Sequence, residues 1–103
     1  EPAKNIEPSW MGLPILISKK YWKRKKKFIE YLDRAGIETR PIISGSFVNQ
    51  PASKVYKLNS DNKIFKNAQY IQDFGFIIGL HTQKISKKQL NFIHDHFFMI
   101  NKI

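Results

Sequence analysis

The sequence predicts a small two-layer α+β domain, in which a sheet of about three strands carries helices on one face. Three stretches rich in branched and aromatic residues, at 9–17, 37–43 and 76–81, alternate with three stretches of helical apolar periodicity. A chain of 103 residues also has room for one domain with one modest core. We therefore expect the order β-α-β-α-β-α in one packed unit.

The composition favours a globular protein and excludes several other classes. Hydrophobic residues make up 42% and aromatic residues 14% of the chain, which is enough for a core and too much for a disordered tail. The absence of cysteine excludes a disulfide scaffold and any thiolate metal site. No apolar run approaches the roughly 20 residues that span a bilayer, and no signal peptide is visible, so we expect a cytoplasmic protein without a membrane partner.

The first half of the chain gives two strands and a helix. Residues 1–8 hold two prolines and no periodic pattern, so we expect a connector from an upstream domain, with the domain itself at 9–103. Pro14 places the strand at 9–17 at a sheet edge or at a bulge, because proline cannot donate to the ladder. A helix at 21–35 ends at Gly36, which tolerates the left-handed conformation. The strand at 37–43 leads into a polar loop at 44–51.

The second half gives the remaining elements. Ser60 or Asp61 can cap a helix at 63–74 that turns Ile64, Ala68 and Ile71 inward and stops at Gly75. The strand at 76–81 is apolar almost throughout, which favours a place in the middle of the sheet or beneath helices. A last helix begins at a capping box whose two members are three residues apart, and its apolar positions repeat at three or four residues. Those residues are Ser86 and Gln89 for the box, then Leu90, Ile93, Phe97 and Ile100.

The net charge of +10 raises the alternative of a basic module that binds RNA or another polyanion. Seven of the nine residues at 19–27 are basic, so the charge is a local cluster, and a solvated helix face is the favoured interpretation. Trp10 and the phenylalanines have spacings that fit core positions, whereas Trp22 does not. A nucleic-acid partner is therefore the less favoured hypothesis.

The chain shows no complete catalytic centre. Neither the Rossmann glycine pattern nor a P-loop occurs, and no serine lies in a nucleophile elbow. His94 and His96 are two apart on a predicted helix, so they point in different directions and do not predict a metal site. His81 follows the third strand, where sites are often built, although a lone histidine there is more often structural.

Three stretches carry a resemblance to a known family: SWMGLP at 9–14, GIETRP at 36–41 and SGSFVNQP at 44–51. They resemble the C-terminal part of the DegT/DnrJ/EryC1/StrS sugar aminotransferase family, and most of all its 3-dehydratases acting on nucleotide-linked 4-keto-6-deoxyhexoses. NAQY at 67–70 and GLH at 79–81 extend the resemblance over nearly the whole chain.

The resemblance implies the small C-terminal domain of an aspartate-aminotransferase-like enzyme that works as a homodimer and uses pyridoxamine or pyridoxal 5'-phosphate. The large domain that holds the cofactor is not in this sequence. Nor is the residue in place of the Schiff-base lysine, a histidine in the 3-dehydratases, so we expect the chain alone to be inactive. A sugar aminotransferase that keeps its lysine remains an alternative for the parent.

The same resemblance supplies candidate substrate-binding residues. The Arg40 guanidinium suits phosphate or carboxylate oxygens, although a structural salt bridge, to Glu38 or to the missing domain, is an equal alternative. The others are Ser44, Gly45, Ser46, Gln50 and His81. For the serines and Gly45 an ordinary tight turn is the competing interpretation.

Overall fold

The computed structural model describes residues 3–59, 61 and 63–103. Its sheet has three antiparallel strands, β1 (Gly12–Leu16), β2 (Thr39–Arg40) and β3 (Gly75–Gly79), in the order β1-β3-β2. The α-helices are α1 (Lys25–Arg34), α2 (Pro51–Val55), α3 (Lys66–Phe74) and α4 (Lys87–Phe98). Short 3-10 helices occupy Lys19–Arg24, Phe47–Asn49 and Met99–Asn101. The predicted two-layer α+β class is confirmed.

The strand order follows from the strand sequences. The most apolar strand, β3, lies in the centre and pairs Phe76 with Ile15 and Ile78 with Thr39. Pro14 lies in the edge strand β1, where its missing N–H does least harm to the ladder. Both the central position of β3 and the edge position of β1 were predicted.

The core lies between the sheet and two helices. Alternation along β3 turns Phe76 and Ile78 toward α1 and α4, and both side chains are buried. Phe28 of α1 stacks edge-on against Phe76 and Phe97, with ring centroids 6.3 and 5.9 Å apart. Leu32, one turn further along α1, is fully buried. The stripe at three- and four-residue spacing is therefore what fixes α1 on the sheet.

The predicted stop and start signals are present. Gly36 ends the α1 segment with φ +82°, a conformation that side chains rarely adopt. Ser86 and Gln89 form the predicted capping box, in which the Ser86 hydroxyl accepts from the Gln89 N–H and the Gln89 side chain accepts from the Ser86 N–H. Gly75 closes α3 but has extended geometry and opens β3 directly.

Four expectations were wrong in detail. The helix at 21–35 begins as a 3-10 turn, since residues 19–24 carry no acidic or capping side chain to start an α-helix. α2 was not predicted, because a proline is common both in loops and at the first turn of a helix. α3 begins after Phe65 without a side-chain cap, and Ile64 is 81% exposed. The prediction of core positions is wrong for Trp10, which is 56% exposed, and for Phe47, Phe65, Phe92 and Phe98, which are 52%, 47%, 45% and 61% exposed. Ser60 lies outside the described residues.

The other face of the sheet is open. Ile77 points away from the helices, and a groove of about 1120 Å³ follows this side of the domain. Its apolar lining includes Trp10, Met11, Pro14, Ile43, Ile77, Leu80, Ile85 and Phe92, and the groove reaches the helix side of the sheet at Ile37, Ile78 and Ile93. Within the part of the chain that the structure describes, no helix has the length and apolar character to cross a membrane.

Candidate functional site

The loop after β2 makes a tight turn that the sequence dictates. The Gly45 N–H donates to the Ile42 carbonyl at 3.0 Å, and both Ser44 (φ +62°) and Gly45 (φ +53°) are left-handed. A Cβ on Gly45 would lie 2.9 Å from Cγ of Gln72, so the position has neither the conformation nor the space for a side chain. The small residues at 44–46 therefore let the loop approach α3 closely.

Two glutamines of α3 hold this loop. Gln72 Oε1 accepts from the Ser46 N–H at 3.0 Å and from Asn49 Nδ2 at 3.3 Å. Gln69 Oε1 accepts from Asn49 Nδ2 at 2.7 Å. The N–H groups of Gly45 and Ser46 are thus engaged within the protein. Ser46 is 2% exposed, whereas Ser44 is exposed and Gln50 is half-buried.

Arg40 extends from the end of β2 into solvent. Its Nε and Nη2 both donate to Glu38 Oε1, at 2.9 and 2.7 Å, so the structural salt bridge expected as an alternative to substrate binding is present. The two side chains are 76% and 73% exposed, and such pairs contribute only about 0.2–1 kcal/mol. An incoming anion can therefore exchange with Glu38 at little cost to the fold.

A cleft of about 480 Å³ lies beside this loop, between α1, α3 and the end of β2. Four of the six predicted residues line it: Arg40, Ser44, Gly45 and Gln50. Gln50 is oriented by its Nε2, which donates to the Ser44 carbonyl at 3.0 Å. The cleft thus combines a guanidinium, a hydroxyl and an amide on one rim, a set of groups suited to phosphate and sugar oxygens.

His81 lies elsewhere. It follows β3, is exposed, and its Nδ1 accepts from the Gln83 N–H at 3.0 Å. It lines the open-face groove and not the cleft, while Arg40 lines both. The structure therefore brings four predicted residues together at the cleft, buries Ser46 under the turn, and places His81 at the second depression.

Lys25 is a cleft residue that sequence reasoning missed. Its Nζ donates to the carbonyls of Gln72 and Asp73 at 3.1 and 2.9 Å, at the negative end of α3. Burial lowers the pKa of the Lys25 ammonium below its usual range, and the Asp73 carboxylate opposes this shift. Lys25 lies three and four residues before Phe28 and Ile29, on the buried side of α1. This spacing was the sequence signal that could have predicted its contact with the fold.

Lys25 and its neighbour also change the interpretation of the basic cluster. Arg24 Nη1 donates to the carbonyls of Ile100 and Asn101 at 3.1 and 3.0 Å, so consecutive cations hold the ends of two different helical segments. A fully solvated face is therefore wrong for these two residues. Within the described residues no group of three potential metal ligands among His, Asp and Glu is found.

Fold and cleft together define a small α+β domain with a polar, anion-compatible rim, and the comparisons give its relatives. No family model and no solved structure matches the chain. It is 36% identical over 76 residues to the GDP-4-keto-6-deoxy-D-mannose 3-dehydratase of Escherichia coli O55:H7, covering 73% of this chain and 19% of that protein. The resemblance to sugar-nucleotide 3-dehydratases predicted from the sequence is confirmed.

Two further relatives agree. A protein of the same name from Yersinia pseudotuberculosis is 28% identical over 86 residues, which is 82% of this chain and 22% of the relative. The lipopolysaccharide biosynthesis protein RfbH of Salmonella typhimurium is 26% identical over 106 residues, which is 98% of this chain and 23% of that protein. The chain thus spans about a fifth of the length of the curated relatives it matches.

Proposed function

We propose that the chain is the small C-terminal domain of a larger sugar-nucleotide 3-dehydratase, with residues 1–8 as the connector and 9–103 as the domain. The observation that carries the proposal is the 36% identity to a GDP-4-keto-6-deoxy-D-mannose 3-dehydratase, of which the chain covers only 19%. The reaction removes the 3-hydroxyl of a nucleotide-linked 4-keto-6-deoxyhexose in deoxysugar synthesis of the O-antigen type, in the cytoplasm.

The open-face groove supports the proposal of a second, larger domain. Monomeric proteins rarely expose a continuous apolar surface of this kind without a partner. Trp10, Met11 and Ile43 on this groove are 56%, 86% and 78% exposed, although they lie beside one another in the fold. We assign this surface to packing against the large domain, in a parent that is a homodimer.

The cofactor of the parent is pyridoxamine or pyridoxal 5'-phosphate, held mainly by the large domain. When bound, it supplies an amine for the 4-keto group and an electron sink for loss of the 3-hydroxyl. The described residues of this chain fit a supporting role: Arg40, Ser44 and Gln50 present polar groups, whereas the half-buried lysine of the cleft, Lys25, is already engaged with two carbonyls. No lysine of this chain is assigned to the cofactor.

Each candidate residue then has a distinct task. Arg40 exchanges Glu38 for a phosphate or sugar oxygen, and Ser44 and Gln50 donate to the same ligand from the turn. Gly45 and Ser46 shape that turn and hold it against Gln72. His81 contacts the substrate from the groove, on the far side of Arg40.

The complete polypeptide tests this proposal. With pyridoxamine 5'-phosphate, it should convert GDP-4-keto-6-deoxymannose or its CDP-linked counterpart to a 3-deoxy sugar lighter by one oxygen atom, while the cofactor loses its amine as ammonia and becomes pyridoxal 5'-phosphate. Mass spectrometry of the sugar nucleotide measures this change. The 103-residue chain alone should be inert. Arg40→Ala should raise KM about tenfold or more with little change in kcat, because it removes a charge-assisted hydrogen bond to the substrate.

Arg34→Ala is the matched control, because Arg34 is an exposed arginine whose Nε donates within its own helix to the Glu30 carbonyl. It should leave KM unchanged. Transfer of an amino group from glutamate to the sugar would instead identify the aminotransferase alternative, as would a lysine at the Schiff-base position upstream. Turnover by the 103-residue chain alone would contradict the proposal that its catalytic centre lies elsewhere.

A further inference from the structure

The basic segment at 19–27 has two sides. A 3-10 helix has three residues per turn, so side chains at i and i+3 eclipse one another. In the helix Lys19–Arg24 the inner ridge is Tyr21 and Arg24. Tyr21 packs against the core and its hydroxyl donates to Asn101 Oδ1, while Arg24 donates to two carbonyls near the C-terminal end of α4. This ridge belongs to the fold.

The outer ridges face solvent, and their contacts with the fold are cation–π contacts: the Lys19 ammonium lies 5.5 Å from the centre of the Tyr70 ring, and the Lys20 ammonium lies 4.6 Å from that of Tyr21. They carry Lys19 with Trp22, and Lys20 with Lys23, and all four residues are exposed. Trp22 is 59% exposed, and the Lys23 ammonium lies 5.7 Å from the centre of its ring. The exposed Lys26 and Lys27 continue the surface into α1. We call these six residues, Lys19, Lys20, Trp22, Lys23, Lys26 and Lys27, the basic-indole surface.

The charge of this surface is not compensated. The first turn of α1 contains three lysines and no acidic residue, although the positive end of a helix repels cations. Among the described residues the ion pairs are Arg40 with Glu38 and His94 with Asp95, so none involves this surface. Lys26 and Lys27 thus lie at the unfavourable end of α1, and Lys19, Lys20 and Lys23 add three exposed ammonium groups in the 3-10 helix just before it. Lysines at the N-terminal end of a helix do not favour folding, so their presence here points to a role in binding.

We propose that the basic-indole surface docks the protein onto an anionic lipid bilayer. Lysines are point charges on flexible stems, and a plane of lipid headgroups attracts them without requiring any fixed geometry. An indole is the side chain that prefers the headgroup level. The apolar stripe of α1, Phe28 and Leu32, is committed to the core, so the helix does not insert. The association is therefore peripheral, reversible and sensitive to salt.

A single-stranded nucleic acid fits this surface less well. Proteins that bind single strands stack successive bases on several aromatic side chains along a groove. Of the two aromatic residues at 19–27, Tyr21 is half-buried in the core and Trp22 alone is exposed. The proposal is independent of the proposed enzymatic function and differs from the sequence-based expectation that no membrane is involved.

Co-sedimentation of the complete polypeptide with vesicles tests the proposal. Vesicles of equal parts phosphatidylglycerol and phosphatidylcholine should bind the protein at low salt and release it at about 1 M salt, where the screening length falls to about 3 Å. Vesicles of phosphatidylcholine alone should not bind. The variant with Lys19→Gln, Lys20→Gln and Lys23→Gln should lose on the order of 100-fold in partition coefficient.

The matched control is Lys54→Gln with Lys87→Gln and Lys88→Gln, three exposed lysines away from this surface. It removes the same charge and should keep the partition coefficient within about threefold, because distant charges are screened. Trp22→Ala, a change outside the core, should weaken binding without removing its salt dependence. Circular dichroism and the unfolding temperature confirm that each variant is folded.

Three results would overturn the proposal: no binding to anionic vesicles, equal binding to neutral ones, or an equal loss in the control variant. Tight binding of a fluorescent oligouridylate without vesicle binding would identify the surface as a nucleic-acid site instead.

Discussion

The two faces of the sheet differ in what covers them. On one face, Phe76 and Ile78 meet α1 and α4 and are 1% and 7% exposed. On the other, Ile77 looks into a groove whose rim includes Trp10 and Ile43, both more than half exposed. Adjacent residues of one strand thus have opposite surroundings, although all three β3 side chains are large and apolar.

The two faces therefore contribute unequally to the stability of the domain. Burial of apolar side chains is the main favourable term in folding, so the covered face carries most of it. The open face contributes little until a partner covers it. Substitutions on the open face of the isolated chain should therefore lower the free energy of unfolding least. Pairs of substitutions, one at each of two comparable positions, test this.

The largest expected contrast is between Phe76→Ala and Ile77→Ala. The first removes a buried ring that meets Phe28 and Phe97, and should lower the free energy of unfolding by about 3–5 kcal/mol. The second removes a half-buried side chain and should cost about 1 kcal/mol. Urea titration measures the free energy of unfolding of both variants. If Phe76→Ala does not fold, Phe76→Leu takes its place.

Equal costs for these two variants would show that the open face is packed in solution. In the complete polypeptide the proposed large domain covers Ile77, so there the cost of Ile77→Ala should grow toward that of a core substitution.

A smaller contrast is expected between Gly45→Ala and Gly36→Ala. Both glycines are left-handed, but a Cβ on Gly36 would meet nothing within 4 Å, whereas one on Gly45 would strike Gln72. Gly36→Ala should cost about 1 kcal/mol for conformation alone. Gly45→Ala should cost about 2–3 kcal/mol, because the loop must also move away from α3. Thermal unfolding separates them, and similar costs would contradict the close packing at Gln72.

Gly12 and Gly79 test whether the open face is uniform, since they pair across β1 and β3. A Cβ on Gly12 would lie 2.6 Å from Cγ2 of Ile77, while one on Gly79 would meet nothing. Gly12→Ala should destabilise by about 1–2 kcal/mol. Gly79→Ala should be neutral or stabilise by about 0.4–1 kcal/mol, because it restricts the unfolded chain. Denaturant midpoints give both values, and a costly Gly79→Ala would show a hidden contact.

The smallest effect is the pH dependence from Lys25. Because burial lowers its pKa below 10.5, the unfolded chain binds more protons than the folded chain between the two pKa values. The stability of the wild-type chain relative to Lys25→Met should therefore rise with pH through that window. Lys26→Met, at an exposed site, is the control. A Lys25 side-chain NMR titration at or above 10.5 would contradict the burial.

Much of the fold was predictable because its signals are local. Gly36, Pro14 and the box of Ser86 and Gln89 act within a few residues, and each lies where the pattern placed it. α2 was missed because the proline at its first turn also fits a loop, and the start of α3 was missed because it has no side-chain cap.

The site was predictable in part for the same reason. Arg40, Ser44, Gly45 and Gln50 lie within eleven consecutive positions, so one short loop brings them to one cleft. Gln72 and Lys25 come from two helices, and no local pattern joins them to that loop. Whether these residues contact a substrate stays a prediction.

The amino-acid pattern was enough to predict the class of fold, one end of each of two helices, the edge and central strands, and the similarity to sugar-nucleotide 3-dehydratases. The packing of the elements was needed to show which cations belong to the fold and which face solvent, and which face of the sheet is open. Periodicity assigns a residue to an element, but burial and hydrogen bonding depend on which other elements pack against it.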